Sequence, residues 1–100
     1  MLKHIVMWKL KPEAEGKTKA ENALWMKEHL EALVGVVPEV CTLQVGVNVK
    51  ESEMAYDAVL ISTFENEEAL AAYKVNPHHV EISSYCKKIR ESRVVVDFWE

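Results

Sequence analysis

Lys3-His4-Ile5-Val6-Met7-Trp8-Lys9-Leu10 reads as a β-strand, rich in residues that suit a pleated surface and ended by Pro12, which has no N–H for a ladder. Side chains alternate across a strand, so His4, Val6 and Trp8 point one way while Ile5 and Met7 point the other. Ala58-Val59-Leu60-Ile61 repeats the pattern, with Leu60 opposed to Val59 and Ile61. A sheet with helices on one face and water on the other should alternate apolar with polar. Here both faces are apolar, and helices can cover only one. A second copy of the chain, packed sheet against sheet about a two-fold axis, is the expected cover for the other. A monomer with an exposed binding surface is the competing expectation.

On either side of these strands the elements fall into place. From Thr18 to Val34, Ala23, Met26, Leu30, Leu33 and Val34 recur at spacings of three and four, the stripe of a helix. Thr18 and Glu21 form a capping box at its start, and Gly35 and Pro38 stop it. Val40 to Val49 alternates with period two and predicts a second strand, paired through a charged hairpin with a third over Tyr56 to Phe64. Asn66 caps a short helix with Glu67 and Glu68 in its first turn and Ala69, Leu70 and Tyr73 on its inner side. Asn76-Pro77 restarts it, and His79, Ile82, Cys86 and Ile89 share one face of the next helix. Arg93 to Trp99 is the last strand. The order β-α-β-β-α-β predicts an α+β, ferredoxin-like domain over residues 1–100, with a four-stranded antiparallel sheet and its helices on one side.

Composition narrows the function classes. A net charge of −4 argues against a nucleic-acid partner, which requires clustered Lys and Arg, and the RNP-type aromatic pattern is absent. No apolar run approaches the ~20 residues that cross a bilayer, so no membrane association is expected. Two cysteines, Cys41 and Cys86, without a Cys-x-x-Cys pattern, read as small buried hydrophobes in a cytoplasmic protein. Trp8, Trp25 and Trp99 read as core or interface, and Glu13, Glu15, Glu28 and Glu31 as solvated charges.

The chemistry-bearing candidates are Tyr73, His79 and His4. His79 starts the apolar stripe of its helix and should face inward, His78 outward. The positive helix end and burial both favour a neutral imidazole, which can act as a general base. A tyrosine in the preceding turn can donate a hydrogen bond to a carbonyl oxygen as charge develops there. Together they would suit proton abstraction beside a carbonyl, or an aldol-type closure, without a cofactor. A satisfied core histidine and a packed tyrosine are the commoner explanation of such residues on chemistry alone. No metal is expected, because adjacent His78 and His79 diverge on a helix.

Taken together, the opening Lys3–Lys11 segment, Gly46-Val47-Asn48, Phe64-Glu65-Asn66-Glu67-Glu68-Ala69-Leu70-x-x-Tyr73, Asn76-Pro77-His78-His79-Val80 and Val95-Val96-Asp97-Phe98 resemble the stress-responsive A/B barrel domain family. The resemblance implies a dimeric α+β barrel, made when two ferredoxin-like sheets pack face to face. Most such domains have no assigned reaction, but one branch consists of polyketide cyclases that close an aromatic ring by aldol condensation. That branch's tyrosine and histidine fall on Tyr73 and His79, and its strand-one histidine falls on His4. Its cavity lies between sheet and helices, which makes Val6, Trp8 and Met26 expected wall residues for a small apolar or aromatic ligand. A non-catalytic stress-response dimer and a cofactor-independent monooxygenase are the alternatives that the same resemblance leaves open.

Overall fold

A computed structural model describes residues 1–100. Along the chain run β1 (Leu2–Leu10), β2 (Glu13–Ala14), β3 (Lys17–Thr18), α1 (Lys19–Glu31), β4 (Thr42–Val47), β5 (Ala58–Phe64), α2 (Glu67–Val75), α3 (Pro77–Ile89) and β6 (Arg90–Trp99). The main sheet has four antiparallel strands in the order β4-β5-β1-β6, so β4 and β6 are its edges. This is the ferredoxin-like α+β arrangement, with its second helical segment split in two at Asn76.

The alternation read in β1 is present. Leu2, His4, Val6, Trp8 and Leu10 are buried under the helices, and Met7 is exposed on the other side. Register carries this across the sheet. Val6 pairs with Leu60 and Val95, and Ile5 with Ile61 and Val96. Paired residues share a face, so Ile5, Met7, Val59, Ile61, Val94, Val96 and Phe98 form one apolar outer surface. On the helix side Ala23, Met26 and Leu30 of α1, Leu70 and Tyr73 of α2, and Ile82, Cys86 and Ile89 of α3 complete the core with Phe64, Leu43 and Val45.

Local chemistry sets the helix ends. Thr18 accepts from the Glu21 N–H while the Glu21 carboxylate accepts from the Thr18 N–H, a complete capping box. Asn66 accepts from the Ala69 N–H at the start of α2. Asn76 both ends α2 and caps α3 through the His78 N–H, with Pro77 in the first turn.

Several expectations are corrected. Helix α1 stops at Glu31, so Val34 lies beyond it, half-exposed in a turn that needs Gly35 at a φ of +84°. Strand β4 is shorter than Val40 to Val49. The ladder has not begun at Cys41, so period two does not apply there: Val40 turns inward and Cys41 is exposed. Glu31 is no free surface charge, since its carboxylate accepts from the Val45 N–H and from Lys27 Nζ, and the Val45 bond above all holds its pKa below the usual carboxylate range. The β2–β3 hairpin went unseen in the sequence. Its turn places both Glu15 and Gly16 at positive φ, as a two-residue hairpin of the primed kind requires, but Glu15 disguises the usual Asn or Asp signal.

Candidate functional site

Beneath the helices, against the β1–β6 half of the sheet, lies a cavity of about 330 Å³. His4, Val6 and Trp8 enter it from β1, Tyr73 and Lys74 from the end of α2, His79 and Cys86 from α3, and Arg93 from β6. Five of the six site residues marked in the sequence therefore meet in one place. Met26 does not: it is 0% exposed in the core and is no part of the cavity wall. Leu30, one turn further along the same α1 stripe, does reach the wall, so the stripe meets the cavity only toward its C-terminal end.

The hydrogen bonds fix the proton on each imidazole. His4 Nδ1 lies 2.5 Å from Asp97 Oδ1. A carboxylate only accepts, so Nδ1 carries the hydrogen and donates it, which leaves the lone pair on Nε2. His79 Nδ1 lies 3.2 Å from the Lys74 carbonyl oxygen, another pure acceptor, and the same tautomer follows. Neither Nε2 has a partner in the protein, and no fully buried side-chain polar atom lacks one. Each lone pair is therefore open to the cavity they line. The Tyr73 hydroxyl is likewise unoccupied by the chain and open to it.

Burial governs the charge states. It pushes the His4 pKa below the ordinary imidazole value, outweighing Asp97, whose hydrogen bond and charge act in the opposite direction. Burial lowers His79 too, opposed by the Lys74 carbonyl and helped by the charges of Arg93 and Lys74 and by repulsion from His4 whenever that ring is protonated. Burial drives the Tyr73 phenol far above its usual value and the Cys86 thiol up to about 11. At neutral pH the cavity thus presents two neutral bases, a phenol that keeps its proton and a thiol that keeps its own. The Tyr73 and His79 rings touch, with centroids 4.2 Å apart, and Phe64 packs between Tyr73 (5.1 Å) and His4 (6.4 Å). Phenol and imidazoles are held by packing before any ligand arrives.

Asp97 and Arg93 escaped the sequence reading. Both face the helices by register, Asp97 opposite His4 and Arg93 opposite Trp8. A charged residue set in Val94-Val95-Val96-Asp97-Phe98 was the available signal.

A larger and more open groove, about 730 Å³, runs between α1 and α3. Trp25 stacks there on His29 at 4.0 Å and packs on Tyr85 at 4.1 Å, so its aromatic faces are already covered. None of the three candidate acid–base groups reaches it. No three His, Cys, Asp or Glu side chains in the chain gather closely enough to hold a metal ion, and no helix is long and apolar enough to cross a membrane.

The sequence profile of the stress-responsive A/B barrel domain matches residues 2–100. The chain belongs to this family. Among solved structures, the A/B barrel domain is similar to a dimeric protein of unknown function and ferredoxin-like fold from Bacteroides fragilis, with 29% identity, a TM-score of 0.89, and coverage of 99% of this chain and 95% of the other. A protein from Arabidopsis thaliana shares the fold at 22% identity and a TM-score of 0.82, covering 100% of this chain and 95% of that one. So does the hydroxynitrile lyase from Passiflora edulis, at 17% identity and a TM-score of 0.74, covering 97% and 90%. No protein of curated function matches this A/B barrel domain in sequence.

Proposed function

We propose that this A/B barrel domain is a homodimer that binds a small apolar or aromatic carbonyl compound in the β1–β6 cavity and moves a proton on the carbon beside the carbonyl, the step shared by aldol and lyase chemistry. One observation carries the reading: a proton-bearing phenol and two imidazole lone pairs open onto the same cavity. Tyr73 would donate to the carbonyl oxygen as negative charge grows there, and His79 would take the proton through Nε2. His4, backed by Asp97, is the second base in reach, since a carboxylate on Nδ1 stabilises an imidazolium when it forms. Its fold is shared with a hydroxynitrile lyase, a name in keeping with such chemistry. The bare apolar outer face and the dimeric Bacteroides fragilis neighbour support the dimer. Two unpaired cysteines suit a cytoplasmic setting, and the acidic chain suits neither nucleic acid nor an anionic surface.

The test is hydrogen–deuterium exchange into phenylacetone in D₂O, followed by proton NMR under anaerobic conditions. The protein should accelerate loss of the signal beside the carbonyl, and Tyr73→Phe and His79→Ala should each slow it by about 10²-fold, the scale of general acid–base catalysis. Exchange at the solvent rate, or exchange unchanged in both variants, would reject the proposed chemistry.

A further inference from the structure

The cavity carries a charge that proton transfer does not use. Lys74 at the end of α2, Lys87 and Arg90 at the end of α3, and Arg93 on β6 all border it, four of the chain's twelve Lys and Arg. No Asp or Glu lines it. None of the four cations joins any ion pair, whereas Lys3, Lys19, Lys27 and Lys88 each reach a carboxylate elsewhere. In a chain of net charge −4, with sixteen acidic residues to hand, this is an uncompensated cluster.

Helix dipoles account for part of it, since Lys74, Lys87 and Arg90 sit at helix C-termini, where cations are favoured. Arg93 has no such reason. It projects from a strand toward the helices beside Trp8 and stays accessible to solvent, and partial desolvation together with the neighbouring Arg90 lowers its pKa. Asp97 attracts it from a distance but is held by His4. Two guanidinium groups, with two lysines and no carboxylate, lining one cavity that is half polar and half apolar describe the receiving half of an anion site, and guanidinium forks match carboxylates in geometry.

The geometry points to a carbonyl acid as the ligand, its carboxylate between Arg93 and Arg90 and its apolar body against Val6, Trp8 and Leu60. This rests on the reading of the cavity given above and names the class of molecule that enters it. A volume of about 330 Å³ lies at the small end of ligand sites and suits a compact acid.

Calorimetric titration of the intact protein with phenylpyruvate, its uncharged methyl ester and inorganic phosphate tests the assignment. The acid should bind about tenfold or more tightly than the ester, the increment of a hydrogen-bonded charge pair. Arg93→Gln should remove that advantage while leaving ester binding unchanged, and Arg93→Lys should restore part of it. Equal affinity for acid and ester, an unchanged ratio in Arg93→Gln, or no binding of either at millimolar concentration would overturn the proposal. Phosphate binding as tightly as the acid would overturn it too, by replacing the carboxylate with a phosphoryl ligand. Failure of the proton-transfer reading looks different: the acid-to-ester ratio would stand while Tyr73→Phe and His79→Ala left exchange untouched.

Discussion

Both faces of the sheet carry apolar side chains, but helices cover only one of them. A one-sided sheet places its apolar residues under the helices and its polar residues in water. Here the helix side sets His4, Ser62, Arg93 and Asp97 among Val6, Trp8, Leu60 and Phe64, whereas the outer side holds Ile5, Met7, Val59, Ile61, Val94, Val96 and Phe98 with Lys3, Lys9 and Gln44 beside them. The buried polar groups have reasons to be there: Ser62 Oγ donates to the His4 carbonyl oxygen, and His4 donates to Asp97. Under the proposed function the contrast is a division of labour, with proton transfer assigned to the covered face and assembly to the bare one.

The largest effect should come from breaking the outer face. Ile61→Glu, at its centre opposite Ile5, would place two carboxylates in the sheet-to-sheet contact of a dimer. At several kcal/mol for each desolvated charge, sedimentation should show dimer association weakened by at least about 10²-fold, with the monomer still folded by circular dichroism. An unaltered sedimentation coefficient would place assembly elsewhere.

Next comes the core that separates the faces from the site. Met26→Ala should cost about 2–5 kcal/mol in urea unfolding, the price of a cavity at a fully buried methionine. Ligand affinity should stay within experimental error, because Met26 is outside the cavity wall. A change in affinity without a loss of stability would return Met26 to the site.

The histidines sharpen the contrast through pH. Both are held below the ordinary value of 6.5 by burial. Between their folded pKa values and 6.5 the unfolded chain binds more protons than the folded one, so stability rises with pH across that window and levels off above it. Melting temperature should therefore fall as pH drops through 6.5, and His4→Gln should flatten the fall. The smallest effect belongs to the helix end remote from both faces: Thr18→Ala should cost about 1 kcal/mol by removing one half of the capping box.

The two faces were also unequally legible. Period two in β1 and β5 revealed the bare face at once, because alternation is a property of neighbours in sequence. The Thr18 and Asn76 caps and the α1 stripe were readable for the same reason. The site was only half legible. Tyr73 and His79 stand out on one helical hairpin, but Asp97 meets His4 only through strand pairing across 93 residues, and Arg93 meets Trp8 in the same way. Register between the first and last strands is a tertiary fact, which local pattern does not encode. Met26 failed for the converse reason, since a helical stripe tells which side is inward but not whether inward means core or cavity.

Long-range ¹⁵N–¹H NMR of the histidine rings at neutral pH reports directly on the two lone pairs that face the cavity. The account predicts that His4 and His79 both appear as neutral imidazoles with Nδ1 protonated and Nε2 bare. Imidazolium shifts, or the hydrogen found on Nε2 in both rings, would contradict it.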